Sequence, residues 1–129
     1  MKKLKALKPS YNKVSPDMLE VMPYEYRGKN IDIDIETDEF TCLCPWSGLP
    51  DFADIRITYV PAKSVIELKS LKYYLQSYRM VGMVHESVVN RVLADLVKAA
   101  KPKSMEVELV FNPRGGITTT VSARYGKTS

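Results

Sequence analysis

Isoleucines at positions 31, 33 and 35 alternate with Asp32, Asp34 and Glu36, and Ile55, Ile57 and Tyr59 alternate with Arg56 and Thr58. A period of two describes a strand with one covered face and one wet face. From Glu67 to about Arg79 the period lengthens, and Leu68, Leu71 and Leu75 fall on one helical stripe. A second helix is expected from about Val84 to Ala100, with Val88, Val92 and Leu96 and their neighbours Val89, Leu93 and Val97 on its apolar side. Pro102 ends it, because proline has no N–H to donate and its ring clashes with the preceding turn. Met105, Val107, Leu109 and Phe111 then alternate with Glu106 and Glu108, and the run from Ile117 to Ala123 is rich in β-branched residues. The order strand, strand, helix, helix, strand, strand predicts an α+β domain, a four-stranded, mostly antiparallel sheet with both helices on one face. Such a layer leaves two sheet edges, which neighbours commonly cover.

Between the first two strands, residues 40 to 52 form a stretch punctuated by Pro45, Gly48 and Pro50, read as a loop tied at both ends by sheet. It carries Cys44 and Asp51, seven positions apart, a nucleophile type and an acid type on the kind of segment that often bears reactive groups. Taken alone, a cysteine is more often a small buried hydrophobe, and Pro50-Asp51 is common turn chemistry. Cys42 and Cys44 make a poor disulfide, with Leu43 between them expected to turn the two thiols apart, and a reducing cytoplasm is the simpler location.

At 129 residues, with 45% apolar and 26% charged residues, the chain has room for one domain with its own core. The net charge of +4 comes substantially from Lys2, Lys3, Lys5, Lys8 and Lys13, which divides the chain into a basic extension over 1–25 and a single domain over 26–129. The start lacks the apolar core of a signal peptide, and no run approaches membrane-spanning length, so no membrane partner is expected. An anionic partner suits the sign of the charge, and a phosphorylated cofactor and RNA both qualify.

The stretch Val65-Ile66-Glu67-Leu68-Lys69-Ser70-Leu71-Lys72-Tyr73-Tyr74 resembles the signature of the NADPH-dependent nitrile reductases that make 7-aminomethyl-7-deazaguanine. Cys44-Pro45 followed by Pro50-Asp51, the pair His85-Glu86, and Pro113-Arg114-Gly115-Gly116 agree in order and spacing, and the resemblance covers most of residues 30 to 125. It implies a tunnelling fold, in which identical subunits join edge to edge into a barrel with the active sites at subunit interfaces. It also implies reduction of the nitrile of 7-cyano-7-deazaguanine, a step toward the queuosine of tRNA. Cys44 is then the nucleophile that adds to the nitrile carbon as a thioimide, and Asp51 the general acid, whose proton affinity burial or a neighbouring anion must raise. Glu86 would accept from the guanine-like edge in a bidentate pair, with His85 and the Ile66-Glu67-Leu68 segment also lining the substrate. Lys69, Lys72 and Arg114 would serve the phosphates of NADPH, with Leu68 and Gly115 close by. No Gly-x-Gly-x-x-Gly fingerprint follows a strand, so an intersubunit groove is the expected place for the cofactor.

Three rival readings use the same residues. An amidinotransferase-like relative keeps the cysteine and aspartate but lacks the nucleotide-binding signature that Glu67, Lys69, Ser70, Lys72 and Arg114 supply here. A zinc-dependent tunnelling-fold enzyme would need Cys42, Cys44 and His85 as ligands, a poor set, so no metal is expected. A small RNA-binding module suits the basic balance and eight tyrosines but lacks a module signature, and no stable nucleic-acid partner is expected.

Overall fold

The computed structural model describes residues 13–127, so the lysines of the basic extension up to Lys8 lie outside the described residues. The elements run in the order β1 (Val21–Pro23), β2 (Ile33–Leu43), β3 (Pro50–Val60), β4 (Ser64–Ile66), α1 (Leu68–Gln76), α2 (His85–Ala100), β5 (Ser104–Phe111) and β6 (Thr120–Gly126). The main sheet is four-stranded in the order β2-β3-β5-β6, every pair antiparallel, and β1 and β4 form a separate two-stranded ribbon. Both helices lie on one face, as the alternation of β3 requires: Asp51, Ala53, Ile55, Ile57 and Tyr59 are buried toward them, while Phe52, Asp54 and Arg56 are exposed on the other side. The core joins Ile55, Ile57, Val107 and Leu109 of the sheet to Leu71 and Tyr74 of α1 and to Val88, Val92 and Leu96 of α2.

The ribbon is an element the hydrophobic pattern does not announce, because three residues are too short to show a period. The strand before the cysteine stretch is longer than its sequence suggests. A bulge between Thr37 and Phe40 inserts an extra residue into β2, so the inward positions shift from Ile33, Ile35 and Thr37 to Phe40 and Cys42. A strict period of two fails at that bulge, which is why residues 40–43 read as loop. Pairing continues through Leu43 and Pro50, and the true loop is only 44–49. At the other end of the sheet, the final strand begins at Thr120 rather than Ile117, which is 72% exposed in the turn.

Of the segment 1–25, residues 14 to 24 pack on the domain. Val14 is buried, the Ser15 N–H donates to Ser77 Oγ at 3.1 Å, and the Glu20 N–H donates to Ser70 Oγ at 2.9 Å. The helices are tied by a polar chain. Tyr74 donates to Asp95 Oδ2 at 2.6 Å, Tyr78 lies 2.7 Å from the Tyr74 hydroxyl, and Arg91 Nε donates to Asp95 Oδ2 at 2.9 Å. Since a phenol has one proton and Tyr74 gives its own to the carboxylate, Tyr78 must be the donor to Tyr74.

Candidate active site

The cysteine loop is closed by its own backbone. The Cys44 N–H donates to the Leu49 carbonyl at 2.8 Å, the Gly48 N–H donates to the Cys44 carbonyl at 2.9 Å, and Gly48 takes φ +73°, a conformation that costs glycine little. Ser47 Oγ accepts from the Leu49 N–H at 3.2 Å, which orients the serine within the loop. The Cys44 thiol is held below its ordinary range, first by the Ser47 hydroxyl and then by the N–H groups of Ser47 and Trp46, against smaller opposing effects of burial and the Asp51 charge. Donors turned toward a sulfur favour the thiolate, the form that attacks carbon.

Cys42 behaves in the opposite way. It is fully buried, and burial, followed by the charges of Asp51 and Cys44, pushes its thiol up to about 12. The expectation that Leu43 turns the two thiols apart needs correcting, because positions two apart on a strand share a face. Cys42 stands directly opposite Asp51 in the ladder, on the core side. The two differ in setting because β2 ends at Leu43 and the chain turns at Cys44, which leaves Cys44 only half-buried. Both thiols are free.

Asp51, 8% exposed, is the centre of the site. Its Oδ1 accepts from Arg114 Nη1 at 2.6 Å, and its Oδ2 lies 3.2 Å from His85 Nε2. His85 is the first residue of α2, and its ring is stacked on Phe111, with centroids 3.5 Å apart and planes 4° from parallel. The segment leading into α2 is pinned beside the cysteine loop: the Leu43 N–H donates to the Val81 carbonyl at 2.9 Å and the Met83 N–H to the Leu43 carbonyl at 3.1 Å. Gly82 packs against Pro45, where a Cβ would stand in ordinary van der Waals contact, 3.4 Å from Cα of Pro45. Arg114 is presented by a two-residue turn. Its N–H and carbonyl are each bonded to Ile117 at 3.0 Å, and Gly115 and Gly116 take φ +60° and +79°.

These groups line one cleft of about 350 Å³, in which Cys44, Asp51, His85, Glu86 and Arg114 meet beside Trp46. Glu86 is exposed there, and its carboxylate makes no hydrogen bond or ion pair among the described residues, which leaves it available to a ligand. The other predicted positions lie elsewhere. Ile66, Glu67, Leu68, Lys69 and Lys72 gather at the start of α1 and none lines the Cys44 cleft. Glu67 caps that helix, accepting from the N–H groups of Ser70 at 2.7 Å and Lys69 at 2.8 Å, and these bonds hold its carboxyl below the usual range. Ile66 is buried, its N–H donating to the Tyr59 hydroxyl at 2.9 Å. Leu68, Lys69 and Lys72 are exposed, with Lys72 Nζ 4.8 Å from the ring centre of Tyr73.

The family model described as QueF-like protein matches residues 50–129. A protein of Caldicellulosiruptor bescii named NADPH-dependent 7-cyano-7-deazaguanine reductase is 54% identical over 117 residues, 91% of this chain and 89% of the relative. The chain belongs to the QueF-like family. A Chloroherpeton thalassium protein of the same name is 47% identical over 87% of this chain and 97% of its own length. The fold is shared with a solved structure described as the archaeosine synthase QueF-Like in the apo form, with a TM-score of 0.70 and 22% identity over 76% of this chain and 96% of that one. The α+β tunnelling fold expected from the element order and the resemblance is therefore found.

Trp46, Ser47 and Phe111 contribute to the site without having been singled out. A serine three positions after a cysteine in a glycine-closed turn was a usable signal for Ser47, since such turns aim side chains and N–H groups inward. Nothing local marked Phe111, whose ring meets His85 only through the fold. Among the described residues no group of three or more histidine, cysteine or acidic side chains could hold a metal ion, so the Cys42, Cys44 and His85 set of the zinc reading is not assembled. No helix among the described residues is long and apolar enough to cross a membrane.

Proposed function

We propose that this chain reduces the nitrile of 7-cyano-7-deazaguanine to the primary amine with NADPH, through a covalent thioimide on Cys44. The observation that carries the reading is the single cleft that brings a donor-stabilised Cys44 thiol together with Asp51 and an unengaged Glu86 carboxylate. It occurs in a chain 54% identical over 91% of its length to a protein named for that reduction.

The addition step follows from the chemistry of these groups. Cys44 sulfur forms a bond to the nitrile carbon, one π bond of the C≡N group gives way to C=N, and the nitrogen takes a proton. The thiol supplies that proton, and Asp51 carries it, accepting from sulfur and donating to nitrogen. Glu86 accepts from the adjacent N–H and amino groups of the ring, and His85 sits beside it at the start of α2.

NADPH, when bound, supplies hydride, of which a nitrile needs two to become a primary amine. The residues at the start of α1 fit a dinucleotide: Lys69 and Lys72 are exposed one turn apart. Nothing lies within 4 Å of where a side chain would stand on Gly115 or Gly116, so a phosphate can approach that backbone closely. Leu68 and Gly115 belong to the same proposed cofactor surface, and Ile66 and Glu67 to the proposed substrate wall. Arg114, which the resemblance puts with the cofactor cations, is engaged by Asp51. Because the Cys44 cleft and the α1 residues do not meet within one chain, the complete site forms between subunits of a homo-oligomer, paired through open sheet edges.

The test mixes the protein with 7-cyano-7-deazaguanine and follows NADPH absorbance, with Cys44→Ala alongside and intact masses taken without cofactor. Oxidation of two NADPH per nitrile, and a one-substrate mass increase in wild type only, is the expected result. An adduct without NADPH consumption would replace the reductase reading by the transferase one, and no adduct would remove Cys44 as nucleophile.

A further inference from the structure

Arg114 donates to Oδ1 of Asp51 at 2.6 Å, a short charge-assisted bond, and its next contact is a 3.5 Å approach to the Pro50 carbonyl in the same segment. The backbone is arranged to place it there. The Asn112 N–H donates to the Phe52 carbonyl at 2.9 Å, so the chain beyond β5 keeps running beside residues 50–52, and the Gly115-Gly116 turn then doubles back at Arg114. With His85 on Oδ2, the two oxygens of a carboxylate that is 8% exposed face opposite partners, and its plane is set by them. Lys69 and Lys72, which the resemblance groups with Arg114, lie at α1 and touch none of this.

We propose that Arg114 is the positioning residue of Asp51, holding its carboxylate in line with the cleft so that the Cys44 proton can pass to the nitrile nitrogen during addition. This rests on the thioimide reading above. The balance is that of the addition step: S–H and one π bond of the nitrile break, S–C and N–H form, and no oxidant or reductant takes part. Arg114 therefore acts before any hydride is delivered, and its loss shows in a reaction from which the cofactor is absent.

The experiment follows adduct formation by intact mass in the full chain with 7-cyano-7-deazaguanine and no NADPH. It compares wild type, Arg114→Met, Arg114→Lys and Asp51→Asn. Removing a proton-transfer group costs about 10²- to 10⁴-fold, so Asp51→Asn sets the lower limit, and misaiming the group through Arg114→Met is expected to cost about tenfold or more. That loss should fall on the rate at saturating nitrile, with the half-saturating concentration changed less than about threefold, a split that general loosening of the fold would not produce. Arg114→Lys, which keeps one donor to Oδ1, should recover a large part of the rate. Arg114→Gln, which removes the charge but keeps a polar side chain, repeats the test should Arg114→Met fail to fold, with the same loss expected. Normal adduct formation in the Arg114 variants, with a raised NADPH requirement in turnover, would overturn the proposal and leave Arg114 a phosphate anchor. Failure of wild type itself to form the adduct would instead sink the thioimide reading, and this assignment with it.

Discussion

The direction of the hydrogen-bond chain Tyr78 to Tyr74 to Asp95 makes an asymmetric prediction about two phenols that look alike in burial. Both are fully buried, 2.7 Å apart, and Asp95 also receives Arg91. Tyr74→Phe removes a bond to a charged acceptor, about 2 kcal/mol, and strands the Tyr78 hydroxyl without an acceptor in the core, roughly 1 kcal/mol more. Tyr78→Phe removes one neutral bond and leaves Tyr74 donating to Asp95, so it costs about 1 kcal/mol. In the double variant no hydroxyl is stranded, and its cost should be about 2 kcal/mol, well below the total of the single changes. Urea denaturation at fixed protein concentration measures this as a shift in midpoint at constant slope. Melting temperature should fall by roughly 4 °C per kcal/mol for a chain of this size. Equal costs for the two single variants, or additivity in the double, would refute the assigned direction. The chain matters to the site because Tyr78 leads into Val81 and Gly82, whose backbone is pinned to Leu43 beside Cys44.

Two further outcomes follow from the thiols and the helix cap. Iodoacetamide at neutral pH should label Cys44 once and leave Cys42 untouched, because burial pushes Cys42 up to about 12 while donors lower Cys44. The labelling midpoint of Cys44 should lie below the ordinary 9.0 and move upward in Ser47→Ala, and a second label on the folded protein or an unmoved midpoint would contradict the turn's role. Glu67 has its carboxyl lowered from 4.5 by the Lys69 and Ser70 N–H groups, so its stabilisation is fully present above the unfolded value and is lost as pH falls through the folded one. The stability gap between wild type and Glu67→Gln, read from urea midpoints across a pH series, should be complete at pH 7 and close in acid. A gap independent of pH would exclude the cap as the main role of the carboxylate.

What the sequence by itself determined is whatever follows from local period and local chemistry. The alternation in β3 and β5, Leu71 and Leu75 of α1 and the valines of α2 specify their elements because each buries one face, and the α+β order follows from them, whereas Leu68 of the same stripe is exposed. The four landmark segments marked Cys44, Asp51, His85, Glu86 and the α1 cations through resemblance, without placing any of them in space. Where local regularity fails, the reading stops: the bulge at Thr37 to Phe40 reverses which residues face inward, and the three-residue strands β1 and β4 have no period to detect. Only the tertiary structure decided that Arg114, 63 positions away along the chain, bonds to Asp51, that His85 stacks on Phe111, and that Glu67 caps a helix while the Glu86 carboxylate bonds to none of the described residues. The reason is physical. Each of these contacts joins residues that sheet pairing and turn geometry carry together, and no local pattern of hydrophobic and polar positions encodes which distant side chain will satisfy a nearly buried carboxylate.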